Sequence, residues 1–175
     1  LDIDVWLTFV RETPLSPDPA LNLILDLQMT WPSAFIITDK GETTAIVGRF
    51  DAENVIKMGG YKTVIPYDND IMPHLREAIE KIAPTPIAVN FSENDAASDV
   101  LSVGMWKLLK RSLAETPYRH CLVSSEILLS ALRGQKSDAE IDAVRGAVET
   151  TERIITSVTD HLAVGQNALE LHHFV

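Results

Sequence analysis

The chain has 175 residues, of which 46% are hydrophobic and 23% are charged, as is typical of a soluble globular domain with a sizeable core. Its formal net charge of −10 argues against nucleic acid or an anionic membrane surface as a general partner, and no apolar run approaches the ~18 residues that a membrane span needs. Cys121 is the only cysteine, which excludes an intrachain disulfide and suits a reducing, cytoplasmic compartment. We interpret Cys121 itself as a small, buried apolar side chain in a strand.

The beginning of the sequence predicts a strand, a loop and a helix. Residues 5–10 are apolar, β-branched or aromatic, which indicates a buried strand. The segment 11–19 contains three prolines and is typical of a loop, because proline removes backbone donors and restricts its neighbours. Asp18 and Pro19 then suit the N-cap and the first turn of a helix. The apolar side of that helix is formed by Leu21, Ile24, Leu25 and Met29.

A β-hairpin is predicted next. The β-rich runs 34–38 and 43–47 flank a short turn that contains Gly41. Arg49 follows the second run, and Asp51 is expected to cap a short helix that ends before two glycines.

Predicted strands and helices alternate from there to residue 133. The strands are expected over 62–66, 87–90 and 120–123, and the helices over 71–83, 100–114 and 126–132. Asp68 or Asn69 is expected to cap the first of these helices, and Ser124 or Ser125 the last. The alternation predicts an α/β fold, in which a mixed, mostly parallel sheet is covered by helices on both faces.

The segment 134–175 has a different pattern. Ser137 and Glu140 form a capping box, in which the serine hydroxyl accepts from the Glu140 amide and the glutamate reaches back to the Ser137 amide. The helix that follows has a narrow apolar stripe of residues spaced by three, four or seven. The stripe consists of Ile141, Val144, Val148, Ile155, Val158 and Leu162. Such a helix needs a partner surface, and we expect part of that surface in a further domain.

No catalytic motif or metal-binding motif is evident in the sequence. HExxH, CxxC, P-loop and GxGxxG patterns are absent. The histidines are His74, interpreted as a surface residue, His120 at the start of a strand, His161 near a helix end, and the pair His172 and His173. Adjacent residues point in different directions, so this pair is not expected to hold one metal.

Other polar clusters have simpler interpretations than catalysis. Glu93, Asp95 and Asp99 are interpreted as a solvated helix start rather than a cation site. Ser124 and Ser125 lie between a strand and a helix, but they lack the glycines of a nucleophile elbow, so capping is the better interpretation.

Arg49 is the one side chain that the pattern suggests for a functional role. It leaves the end of a strand next to the aromatic Phe50, where sheets of this type place loops near ligands. The competing interpretation is a surface salt bridge. Trp31 and Trp106 are candidates either for interface anchors or for core packing.

The junction near residue 133 resembles the creatinase, prolidase and aminopeptidase P family, the M24 metallopeptidases. The matching residues are Leu132-Arg133, Lys136-Ser137, Glu140-Ile141, Val144-Arg145 and Ala147, followed by Gly165 and Glu170-Leu171. Asn167-Ala168 stands where the family has Thr-Glu. Upstream, residues 34–50 resemble the small N-terminal domain of the family, with Arg49-Phe50 in place of an Arg-Tyr pair.

The resemblance implies a particular domain organisation. Residues 1–133 would form a creatinase-like, ribonuclease H-like N-terminal domain with about six strands, and 134–175 the linker and first helix of a "pita-bread" catalytic domain. Two divalent metal ions (manganese, cobalt or zinc) would be bound there by two Asp, one His and two Glu. Those positions would lie beyond Val175, so the chain alone is expected to be inactive, with no catalytic or metal-ligating residue of its own.

The implied parent protein is a homodimeric Xaa-Pro dipeptidase or aminopeptidase that acts on proline-containing peptides. Its N-terminal domain would support dimerisation and shape the substrate entrance. In relatives this domain approaches the active site of a neighbouring subunit, which makes Arg49 a substrate-proximal candidate. Two alternatives stay open: a free-standing binding or scaffold module of the same fold, against which the unfinished apolar stripe argues, and the N-terminal domain of a creatinase-like amidinohydrolase.

Overall fold

A six-stranded sheet organises the first part of the chain. The strands are β1 (Val5–Val10), β2 (Ser33–Thr38), β3 (Thr43–Gly48), β4 (Thr63–Tyr67), β5 (Ile87–Val89) and β6 (Leu122–Ser124). Their order in the sheet is β4-β3-β2-β1-β5-β6, so β4 and β6 form its two edges. The computed structural model describes residues 2–174, with side chains to residue 172.

Parallel and antiparallel pairs are mixed in this sheet. The pairs β1–β5, β3–β4 and β5–β6 are parallel, whereas β1–β2 and the predicted hairpin β2–β3 are antiparallel. The predicted mixed, mostly parallel sheet is therefore confirmed.

Four helices cover the two faces of the sheet: α1 (Arg49–Met58), α2 (Met72–Ile82), α3 (Val103–Ser112) and α4 (Glu126–Gly134). Two more helices follow along the chain, α5 (Asp138–His161) and α6 (Ala168–Phe174). Side chains alternate along β1, so Leu7 belongs to a core cluster with Leu75 of α2 and Leu109 of α3. On the other face, α1 packs through Val55 and α4 through Leu129. The predicted covering of both faces is confirmed.

The prediction of a helix after Pro19 is wrong. Only a short 3₁₀ turn, Leu21–Leu23, forms there. Asp18 accepts a hydrogen bond from the Ala20 amide at 2.8 Å, as a cap does. Beyond the turn, however, the Met29 amide donates to Thr13 Oγ1 at 2.8 Å, and the Thr13 amide donates to the Met29 carbonyl at 2.9 Å. These bonds to a distant segment replace the helical ones.

The predicted helix caps are only partly confirmed. Ser124 Oγ accepts from the Glu126 amide at 3.1 Å, as expected at the start of α4. Asp51 does not cap α1, because that helix begins two residues earlier, directly after Gly48. At the start of α2, Asp70 takes the place predicted for Asp68 or Asn69 and accepts from the Met72 amide at 3.0 Å.

The last strand begins later than predicted. Pro117–His120 form a 3₁₀ turn, which the Cys121 amide closes by donating to the Tyr118 carbonyl at 3.0 Å. His120 is therefore exposed and lies outside the strand, and Cys121 is only half-buried. Both predictions for these residues are wrong, because Pro117 starts a turn where the apolar pattern suggested an extended chain.

A buried polar network joins four segments of the first part of the chain. Asn90 Oδ1 accepts from Trp6 Nε1 at 2.8 Å and from Ser125 Oγ at 2.9 Å. Asn90 Nδ2 donates to Asp18 Oδ2 at 2.8 Å and to Thr8 Oγ1 at 3.4 Å. All five side chains are buried, so a single amide connects β1, the loop before the 3₁₀ turn, the end of β5 and the start of α4.

The chain divides into two compact units, Leu1–Ala131 and Leu132–Val175. In the second unit the capping box is present: the Ser137 amide donates to Glu140 Oε2 at 2.8 Å, and the Glu140 amide donates to Ser137 Oγ at 3.3 Å. Hydrogen bonds from Ser137 lower the pKa of Glu140. The boundary predicted after residue 133, as a border between two domains of a larger protein, stays a prediction.

Candidate functional site

Arg49 lies where two parallel strands end side by side. The register of β3 and β4 pairs Gly48 with Tyr67, so the residues that follow, Arg49 and Asp68, emerge next to each other. Arg49 Nε and Nη2 donate to the two carboxylate oxygens of Asp68. The hydrogen bonds between them raise the pKa of the guanidinium and lower the pKa of the carboxyl, so the pair is ionised at neutral pH.

The Arg49–Asp68 pair is accessible to solvent. Its side chains are 65% and 53% exposed, so it contributes little to stability. The structure thus contains the surface salt bridge that was the competing interpretation of Arg49 from the sequence. The substrate-proximal role predicted for Arg49 stays a prediction.

An aromatic cluster adjoins this pair. The ring of Trp31 contacts Phe50 edge-on at 5.8 Å between centroids and lies 5.8 Å from the ring of Tyr67. Tyr67 Oη donates to the Pro32 carbonyl at 2.6 Å, which fixes the orientation of its ring. Phe50 is 80% exposed, which is unusual for so large an apolar side chain at the start of a helix.

Gly48 allows Trp31 to sit this close to the backbone of β3. A Cβ atom at position 48 would lie 2.8 Å from Cε3 of Trp31, nearer than real Cβ contacts come, and 3.1 Å from the Trp31 Cβ, tighter than most. The glycine therefore sets the position of the indole, and through it the positions of Phe50 and Tyr67.

Replacing Gly48 with alanine should lower the free energy of unfolding by about 1–3 kcal/mol, because the indole must move within a packed cluster. Urea unfolding followed by circular dichroism measures the change. Gly104→Ala is the matched control: its Cβ would meet Arg11 Nη2 at 3.4 Å and Ser102 Oγ at 3.8 Å, both ordinary contacts, so the same substitution should be neutral or stabilising by up to about 1 kcal/mol. Equal effects at both positions would contradict the steric role of Gly48.

Both tryptophans singled out in the sequence are half-buried within one chain. Trp106 contacts Phe91 edge-on at 5.2 Å, and Lys110 Nζ lies 5.5 Å from the centre of its ring. Trp31 lies in the cluster described above. Both tryptophans thus pack against residues of their own chain. Their role at an interface stays a prediction.

The histidines are scattered rather than gathered. His74 on α2 is half-buried, with its ring 6.4 Å from that of Tyr67, so the surface interpretation is only partly right. His161 occupies the last turn of α5, as expected, and His172 lies in α6. The side chain of His173 falls outside the described residues. Among those that are described, no three His, Cys, Asp or Glu side chains form a group suited to a metal ion.

The acidic residues after β5 do not start a helix. α3 begins at Val103, and Ser102 Oγ accepts from the Met105 amide at 3.3 Å. Asp95 Oδ1 instead accepts from the Ala97 amide at 3.0 Å, and Asp99 Oδ1 accepts from the Ser92 amide at 3.3 Å. These side chains stabilise a loop, because aspartate readily forms such local bonds to the backbone.

The apolar stripe of α5 is accessible over most of its length. Ile141, Val144, Val148, Ile155 and Leu162 are between 43% and 59% exposed, and Val158 is half-buried. No helix among the described residues is both long enough and apolar enough to cross a bilayer. The stripe is therefore an uncovered apolar surface on a capped helix of 24 residues.

The sequence pattern missed the partner of Arg49 and the cluster around Trp31. Asp68 was interpreted as a helix cap, and its pairing with Arg49 depends on the parallel register of two strands that the chain connects through α1. The Gly48-Arg49-Phe50 sequence was the available signal, since a glycine at a strand end permits close packing by a large side chain.

Solved structures share the fold of this chain. It is similar to an X-Pro aminopeptidase from Thermotoga maritima MSB8, with a TM-score of 0.60 and 14% identity, over 97% of this chain and 44% of that one. An Xaa-Pro dipeptidase from Bacillus anthracis gives a TM-score of 0.60 and 15% identity, over 97% and 42% of the two chains. A prolidase from Thermococcus sibiricus gives 0.61 and 16%, over 97% and 43%.

No protein-family model matches the sequence, and no curated protein matches it at a significant level. The chain spans less than half the length of the three solved structures just described. At these identities the likeness establishes the fold, and the expected resemblance to prolidase-type structures is confirmed at that level.

Proposed function

We propose that this chain is the N-terminal domain of an M24-type, dinuclear-metal Xaa-Pro peptidase, and that the catalytic domain lies elsewhere in the parent protein. The observation that supports the proposal most is the fold likeness over 97% of the chain to an aminopeptidase and to a prolidase. The capping box of Ser137 and Glu140 adds support, since it belongs to the junction pattern by which the sequence resembles this family.

The proposed role of the domain is to support dimerisation and to shape the substrate entrance. The exposed stripe of α5 supports the proposal that a further domain or a second copy packs against this chain, because a capped amphipathic helix needs a surface for its apolar side. Arg49 and Phe50 support the proposed role at the substrate entrance. They form an exposed cationic and aromatic pair at a sheet end, which suits contact with the carboxylate and the apolar ring of a proline-containing peptide.

The two divalent metal ions of such a peptidase are assigned to the catalytic domain. No suitable group of three metal-ligating side chains is found in the part of this chain that the structure describes. No metal-dependent step is therefore attributed to these residues, whose part in the reaction would be to position substrate.

The complete parent protein should hydrolyse Ala-Pro with added manganese or cobalt, and residues 1–175 alone should not. In the parent, Arg49→Ala should raise KM by about tenfold and leave kcat nearly unchanged, because a contact equal in the ground and transition states is lost. Steady-state kinetics on both proteins measure these effects.

Lys57→Ala is the matched control, since Lys57 is another exposed cation on α1 and pairs with Glu53 at 2.7 Å. It should leave KM unchanged. Metal-dependent turnover by residues 1–175 alone would overturn the placement of the catalytic domain. Hydrolysis of creatine but not of Ala-Pro by the parent would make it an amidinohydrolase instead.

A further inference from the structure

An open groove of about 430 Å³ adjoins the aromatic cluster. It is lined by Trp31, Pro32 and Leu108 and by residues 67–71, which form the end of β4 and the loop after it. Tyr67 and Ile71 are only 4% and 2% exposed, so the accessible apolar surface comes from the half-buried Trp31, Pro32 and Leu108. The groove is thus partly aromatic and apolar, and it is open to solvent.

The rim of the groove is negatively charged. Asp68 and Asp70 both lie on it, and Arg49 binds Asp68 without lining the groove itself. Burial, together with the carboxylates of Asp51 and Asp70, raises the pKa of Tyr67 to about 12, so the phenol stays neutral. Its hydroxyl already donates to the Pro32 carbonyl, so the largely buried Tyr67 offers a ligand no free donor.

We propose that this groove binds an arginine side chain of a partner polypeptide. Aromatic faces beside carboxylates favour a cation and disfavour an acidic group. The half-buried Leu108 offers aliphatic surface that suits the hydrocarbon stem of a long basic side chain. A planar guanidinium can stack on the Trp31 indole while it donates to a carboxylate, which a lysine ammonium cannot do equally well.

Asp70 offers the guanidinium an anionic acceptor on the rim of the groove. One oxygen of its carboxylate accepts from the Met72 amide at 3.0 Å, and the other has no hydrogen bond within the described residues. The inference rests on this groove alone and does not depend on the proposed peptidase activity.

The test is a titration of the ¹⁵N-labelled 175-residue chain with the blocked peptide acetyl-Ala-Arg-Ala-amide, followed by NMR. We expect saturable shifts of the Trp31 indole and of the amides of residues 68–71, with a dissociation constant on the order of 1 mM. The lysine peptide should bind several-fold more weakly, and the leucine and glutamate peptides should give no saturation.

Two variants test whether the carboxylate of Asp70 binds the arginine peptide. Asp70→Asn should weaken arginine binding by at least about fivefold, while the asparagine oxygen still accepts from the Met72 amide and preserves the start of α2. Asp26→Asn removes the same charge from an exposed position outside the groove lining and should leave binding unchanged.

The proposal is overturned if the leucine or glutamate peptide binds as well as the arginine peptide. Equal weakening by the two variants would also overturn it, because binding would then reflect the overall negative charge of the chain. Shifts confined to residues outside the groove would place the cation elsewhere.

Discussion

Asn90→Leu should lower the free energy of unfolding of the first unit by about 3–5 kcal/mol, which is the largest effect expected from any single polar substitution in this chain. Leucine branches at Cγ like asparagine and is larger, so the loss would come from hydrogen bonding and from crowding of the buried site, and not from a cavity. Urea or thermal unfolding followed by circular dichroism measures it.

The magnitude follows from what the substitution leaves behind. The Trp6 indole and the Ser125 hydroxyl lose their acceptor, and one oxygen of Asp18 loses a donor, all in a buried environment. A buried polar group without a partner costs about 1–3 kcal/mol, and more when it is charged. The groups share one amide, so the losses occur together.

Two control substitutions test whether the loss in stability comes from the Asn90 amide. Thr8→Val removes only the longest bond of the network, at 3.4 Å, and should cost less than about 1.5 kcal/mol. Asn94→Ala alters an exposed side chain in the following loop and should change stability by less than about 0.5 kcal/mol. If Asn90→Leu costs no more than Thr8→Val, the amide does not hold these four segments together.

The second large effect is expected in the parent protein and not in the isolated chain. The double variant Val148→Asp/Ile155→Asp should leave the melting temperature of the 175-residue chain nearly unchanged, because both side chains are more than half exposed. In the parent it should prevent α5 from packing against the rest of the catalytic domain and reduce Xaa-Pro hydrolysis more than tenfold. Each lost apolar contact is worth about 1.5–3 kcal/mol, and the buried carboxylates add a further cost.

Thr150→Asp/Ser157→Asp is the matched control for the stripe. It places two carboxylates seven residues apart on the same helix, at exposed positions away from the apolar stripe. Activity and stability of the parent should both be retained. A parent protein that keeps full activity with the Val148 and Ile155 substitutions would show that nothing covers this side of α5.

Local patterns were sufficient for much of the fold. Strand β1 is apolar except at Thr8 and buried at every position, and the β2–β3 hairpin follows from two β-rich runs around a glycine turn. The capping box at Ser137 was equally readable, since both of its partners lie within four residues.

The failures share a physical cause, which is competition from distant segments. The residues after Leu23 have an apolar periodicity suited to a helix, but the amide and the carbonyl of Met29 bond to Thr13 instead of continuing one. Asp68 looked like a cap because its true partner is 19 residues away, across a parallel strand pair. The Asn90 network could not be predicted from local patterns either, because its members are separated by up to 84 residues in the sequence.

The two ends of the sheet constrain how copies of this domain can associate. β4, at one edge, contains Pro66, which has no amide proton to give to an incoming strand, and β6, at the other, has only three residues. Neither edge is therefore a good template for a continuous intermolecular sheet. A dimer of the parent protein would join through side chains of helices and loops, and the same two edges protect the chain from strand-to-strand aggregation.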